Sequence, residues 1–159
     1  MSTPVTTLTL ATALGSAAMG GVFFAFSSFV MPALGRLPAD QGVAAMQSVN
    51  VTAVRPAFMT GLFGTALLSA GLVVYALVTW GDRRAVLLTV GGVLYLVGTI
   101  GLTIAYHVPR NDALAVVDAG SPEASELWVS YLREWTRANS VRSAAALGAA
   151  VAYILALRG

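Results

Sequence analysis

Three sets of polar and aromatic side chains stand out in this chain because little else in it is polar. Gln47, Asn50 and Arg55 form the first set, and His107, Arg110, Asn111 and Asp112 form the second. The third is a stripe, Trp128, Tyr131, Trp135, Asn139 and Arg142, whose steps of three and four place it on one face of a helix. A histidine and a carboxylate can accept a proton. Arginine and asparagine can donate to an oxyanion, and tyrosine and tryptophan offer flat surfaces to an aromatic ring. Each set also has a plain structural reading. His107 could cap or anchor a helix end at the interface, Arg142 could extend to lipid headgroups, and the stripe could belong to an interfacial aromatic belt. Their convergence favours function, because polar groups in or near a membrane are costly and tend to line a cavity.

The rest of the inventory narrows the chemistry. The chain has no cysteine, so disulfides, thiolate nucleophiles, iron–sulfur clusters and Cys-ligated zinc are excluded. Its one histidine, His107, excludes an HExxH zinc site and, within one chain, a bis-histidine haem or a two-histidine facial triad. A metal centre would need unusual ligands or a second subunit. The net charge of +2 supplies no basic patch for phosphate backbones, so no nucleic-acid partner is expected.

The elements that must position these residues follow from hydropathy. Of 159 residues, 57% are hydrophobic and 10% charged, and mean hydropathy is +0.79. No charge precedes Arg36, and none lies between Arg55 and Asp82, Arg84 and Arg110, or Arg142 and Arg158. Soluble helices need a wet face and do not leave such gaps. The pattern predicts an all-α integral membrane four-helix bundle forming one transmembrane domain over residues 1–159. The expected spans are about 6–34, 56–80, 85–106 and 141–157, with Met31-Pro32 ending the first and Pro109 closing the third. Short extra helices are expected near 38–52, capped by Asp40, and near 121–140, capped by Ser121 with Pro122 and Glu123 in its first turn. The second of these could run into the fourth span.

Four spans put both termini on one side, and the three polar sets together at the other end. Arg83-Arg84 in a very short loop, with Arg158, favours cytoplasmic termini in the cell membrane, although the longer connections hold more arginines in total. Small residues recur at four-residue spacing, as in Ser16/Gly20, Gly61/Thr65/Ser69 and Ala144/Gly148/Ala152, which allows close helix approach in lipid. Such faces exceed what a small bundle needs, so a homo-oligomer is expected.

Four segments in order carry a family resemblance. They are Gly21–Leu34 (GVFFAFSSFVMPAL), Met46–Asn50 (MQSVN), His107–Leu114 (HVPRNDAL) and Trp135–Arg142 (WTRANSVR). They resemble the anthrone oxygenase family of small four-span membrane proteins, and the resemblance extends from about residue 15 to 150. It implies that Asn50, Asn111, Trp135, Asn139 and Arg142 occupy the family's recurring polar and aromatic positions. The chain departs from the pattern at His107, where many members have asparagine, and at Ser140, where they have histidine.

The implied activity is oxidation of a planar aromatic, anthrone- or quinol-like substrate, a hydrophobic small molecule, by deprotonation and reaction with dioxygen. Such a monooxygenase needs a base, donors for the oxyanion and an apolar pocket, so no cofactor is required of this residue set. His107 or Asp112 would be the base. Arg142, Asn139 and Asn50 would hold the oxyanion, Asn111 would contact substrate, and Tyr131 and Trp135 would stack on the rings. The alternative is a non-catalytic small membrane protein that binds a hydrophobic ligand or a partner protein. On either reading Arg142 is expected to point into the bundle. Residues 143–157 give only about 22 Å of helix, short of the roughly 30 Å hydrocarbon thickness, and Asn50, Asn111 or Asp112, or a ligand held there, is the expected partner.

Overall fold

A computed structural model describes residues 2–158, and all regular structure among them is helical. Five helices follow in order. Four are long and apolar enough to cross a membrane: α1 (Thr3–Leu34), α3 (Pro56–Val78), α4 (Arg83–Ala115) and α5 (Pro122–Leu157). The fifth, α2 (Ala39–Ala53), lies in the first connection. The chain is therefore an integral membrane helical bundle. In it α1 packs along α5, α5 along α4, α4 along α3, and α3 back on α1, closing a four-helix ring.

Local chemistry sets the helix ends. The Ser121 hydroxyl accepts from the Ala124 N–H at 3.1 Å, with Pro122 and Glu123 in the first turn of α5. The helix it starts runs unbroken through the fourth span, so the expected segment near 121–140 and that span are one element of 36 residues. Asp82 caps α4 in the same way, accepting from Ala85 N–H at 2.9 Å, after a turn in which Gly81 takes φ +150°. Asp40 does not cap α2. Pro38 holds that place, and Asp40 sits in the first turn, where its charge still meets the positive end of the helix.

Pro109 does not close the third span either, since α4 continues to Ala115. Wider π turns at Phe26–Val30 and Thr103–His107 each end two residues before a proline, Pro32 and Pro109. This local change in hydrogen-bond spacing accommodates the proline ring and its missing N–H, so both helices continue past the proline; a third π stretch, Leu94–Gly101, precedes no proline.

Two clusters of buried side chains divide the molecule. One lies within the bundle and joins Phe23, Leu62, Leu72, Leu88, Tyr95 and Tyr153 with small residues such as Ala146 and Ala149. The other, at the end carrying the two long connections, joins Met31, Val43, Met46, Leu114, Trp128, Tyr131 and Trp135. The functional residues named above gather at the boundary between the two.

Candidate functional site

α2 forms the roof of this region, and two residues hold it down. Gly42 lets its backbone lie against Trp128, since a Cβ at that position would sit 2.8 Å from Trp128 Nε1. Gln47 donates through Nε2 to the carbonyls of Leu114 (2.8 Å) and Val117 (3.0 Å), at the C-terminal end of α4. Carbonyls at a helix end have no partner within the helix, so one side chain both caps α4 and ties α2 to it. Asn50 follows Gln47 by three residues, so the tie also fixes where Asn50 stands over the bundle.

The wall opposite is aromatic. Trp128 and Tyr131 stack with centroids 5.7 Å apart, Tyr131 and Trp135 stack at 6.1 Å, and the His107 ring meets Trp135 edge-on at 4.9 Å. Asn111 orders this stripe, because its Oδ1 accepts both from Tyr131 Oη at 2.7 Å and from Trp135 Nε1 at 2.9 Å. With the amide oxygen so occupied, its NH₂ is the end left to donate.

Between roof and wall lies a cleft of about 480 Å³, mostly apolar and lined by all four spanning helices and α2. That size suits a small organic molecule. Arg142 lines it and is only 6% exposed. Its Nε and Nη2 donate to Asn139 Oδ1 at 3.2 and 2.7 Å, its Nη1 donates to Thr103 Oγ1 at 3.0 Å, and its Cζ lies 3.9 Å from the Phe23 ring centroid. Asn139, fully buried, is fixed in turn by donating to the Phe23 carbonyl (2.7 Å) and to Ser27 Oγ (2.8 Å). No acidic side chain among the described residues forms an ion pair with Arg142, since the ion pairs join Glu134 to Arg110 and Arg133. A guanidinium carries five N–H donors, and three here have protein acceptors.

His107 also lines the cleft, 1% exposed, and neither ring nitrogen has a hydrogen-bond partner; the Ala138 carbonyl approaches without completing one. Asn50 Nδ2 is a third buried polar atom in the lining, and it approaches the Tyr131 hydroxyl without completing a hydrogen bond. Buried polar groups are nearly always satisfied; of the nine unpaired side-chain atoms among the described residues, the three from His107 and Asn50 converge on this cleft, where a ligand could meet them.

The structure brings His107, Asn50, Asn111, Trp135 and Arg142 into the lining. Tyr131 and Asn139 stand behind it, holding Asn111 and Arg142. Asp112 is exposed and takes no part in the lining. Arg142 points into the bundle, but its partners are Asn139 and Thr103, not Asn50, Asn111 or Asp112. A long side chain on a helix leans toward the N-terminus, which brings the guanidinium back over Asn139, three residues earlier. Thr103, Ser27 and Phe23 were not singled out from the sequence. The available signal for Thr103 is its position four residues before His107, and for Ser27 its position four after Phe23. Among the described residues no three His, Asp or Glu side chains gather as they would around a metal ion.

A family model described as anthrone oxygenase matches residues 55–152, which covers α3, α4 and most of α5 and hence His107, Asn111, Trp135, Asn139 and Arg142. No curated protein and no solved structure matches the chain.

Proposed function

The chain belongs to the anthrone oxygenase family, and from that premise we propose that its cleft oxidises a planar aromatic substrate of the anthrone or quinol type with dioxygen. The observation that carries this reading is the buried Arg142 guanidinium with no acidic partner, beside a buried histidine whose ring nitrogens are unpaired. A lone buried charge is expensive, and a bound anionic oxygen would supply the missing partner.

In this scheme an anthrone lies against Trp135 with its carbonyl oxygen toward Arg142. His107 takes a proton from the activated methylene, and the negative charge moves to the oxygen held by the spare guanidinium N–H groups. Asn139 and Thr103 keep the guanidinium in place, so little reorganisation accompanies charge formation. The electron-rich carbon reacts with dioxygen to give a peroxide anion, which recovers the proton from His107. Loss of water from the resulting hydroperoxide leaves a new carbonyl. One anthrone and one dioxygen thus yield one anthraquinone and one water. The apolar lining excludes bulk water from the anion and strengthens its attraction to Arg142. Asn50 and Asn111 contribute N–H donors near the roof for a second oxygen on the rings.

Oxygen uptake tests the proposal. The protein in phosphatidylcholine vesicles, supplied with anthrone, is expected to consume one dioxygen per anthraquinone formed, and Arg142→Gln to lose this activity. Saturable binding of anthrone with no oxygen uptake would return the protein to the non-catalytic, ligand-binding reading. Absence of binding would overturn the ligand class.

A further inference from the structure

The cleft is not sealed, and the residues at its opening say where it leads. Of the side chains that line it, Val22 (39% exposed), Val54 (68%) and Val108 (43%) also reach the outer surface, together with Ser48 and Thr52. The rim is three valines and two short hydroxyl side chains, with no charge. The charged residues of this end stay off it: Arg110 pairs with Glu134 at 3.0 Å, and neither Asp112 nor Arg55 lines the cleft.

Depth decides between an opening to water and one to lipid. Val22 lies 12 residues before the end of α1 at Leu34, about 18 Å along the helix axis and inside the uncharged run that precedes Arg36, whereas Val108, two residues before Arg110, and Ser48, Thr52 and Val54 of the first connection stand at the polar end, so the opening extends from that end into the apolar region of the bundle. Neighbouring side chains on the spanning helices are apolar and turned outward, since Phe24, Phe29 and Ile104 are 59%, 63% and 58% exposed. Helix packing leaves room there. α3 packs along the earlier part of α4, up to residue 101, and has no substantial packing on residues 103–115.

We propose that this opening is a lateral portal: the substrate reaches Arg142 from within the bilayer, between α1 and the C-terminal part of α4 beside the first turns of α3, and the product leaves the same way. The portal rests on the reading of the cleft as a site for a lipid-soluble aromatic molecule. It specifies that reading further, to a substrate carried in the membrane phase. A polar solute from water would meet no guiding charge at the valine rim, whereas a membrane-dissolved aromatic would meet a continuous apolar path. The first charge on that path is the guanidinium at its end.

Binding kinetics test this with anthraquinone as the probe, followed by quenching of tryptophan fluorescence in phosphatidylcholine vesicles. Filling the mouth with Val108→Phe is expected to slow association and dissociation alike, by about tenfold, and to leave Kd within about twofold. Association should also follow the probe-to-lipid ratio and not the aqueous concentration. A Val108→Phe protein with unchanged rates, or one whose Kd rises through dissociation alone, would overturn the portal while leaving the binding site standing. Failure of the wild type to bind would instead remove the ligand reading itself, and the portal with it. A second measurement needs no ligand. With Trp80 and Trp128 replaced by phenylalanine, the remaining Trp135 should be quenched by phospholipid brominated along its acyl chains, and less so once Val22→Phe is added. Quenching by aqueous iodide with no effect of brominated lipid would contradict the proposal.

Discussion

The two halves of this bundle are built on opposite principles. In the half away from the long connections, helices approach through small residues. A Cβ at Gly98 would lie 2.5 Å from the Ala145 Cβ, one at Gly91 would lie 2.8 Å from the Tyr153 ring, and one at Gly92 would collide with Val73. Packing is the main adhesive between helices in lipid, and this half makes close use of it. The other half keeps a cleft of about 480 Å³ open. It is held by a roof helix tied through Gln47, by two tryptophans, and by hydrogen bonds through Asn111 and Asn139. The contrast points to a division of labour, in which close packing of one half holds the helices that frame the polar cleft in the other.

Breaking the packed half should have the largest effect on folding. Gly98→Val places a branched side chain where neither Ala145 nor its backbone can yield, and is expected to destabilise by about 3 kcal/mol, read as a lowered melting temperature in detergent. Oxygen uptake should fall in step with the folded fraction. An unchanged melting temperature would show that the halves are not mechanically distinct.

Arg142→Met should do the reverse. Relief of a buried charge that lacks a carboxylate offsets the cost of leaving the Asn139 Oδ1 acceptor without a donor, so stability is expected to stay within about 2 kcal/mol of wild type, while activity falls by about a hundredfold or more, consistent with about 3 kcal/mol lost from one oxyanion donor. Loss of both stability and activity would assign Arg142 a structural role. Arg142→Lys should also impair turnover, because a point charge cannot reach Asn139, Thr103 and a ligand together as a planar fork does.

Gln47→Leu separates the roof from the wall. It leaves the Leu114 and Val117 carbonyls unpaired and should cost about 1–3 kcal/mol, with faster amide hydrogen exchange in α2 and at residues 108–117 and a raised KM. The smallest effect is expected from Tyr131→Phe, which removes one of two donors to Asn111 Oδ1. About 1 kcal/mol of stability and a modest rise in KM should follow, with kcat little changed.

How much of this was legible in the sequence depended on whether the signal was periodic. Charge gaps and proline positions revealed four helices, and the three- and four-residue steps from Trp128 to Arg142 gave one helix face. Proline was misread at Pro109, because the π turn that accommodates it leaves no mark in composition. The partners of Arg142 were misassigned for a related reason. Topology placed Asn50, Asn111 and Asp112 at the right end, but end-to-end placement does not give depth. Asn139 and Thr103 are simply nearer in the bundle interior. Gln47 was grouped with the polar residues of its connection, yet its partners are backbone carbonyls, which no side-chain pattern displays.

The central claim is that the charge missing beside Arg142 arrives with the ligand. Its most direct test is the affinity of two tricyclic molecules of similar shape, anthrone and anthracene, for the wild-type protein and for Arg142→Gln in the same vesicles. The account predicts that wild type prefers anthrone, whose oxygen can meet the guanidinium, by about tenfold or more, as expected for one hydrogen bond to a charged group, and that this preference disappears in Arg142→Gln. Equal affinity of wild type for the two molecules, or a preference that survives the substitution, would contradict it.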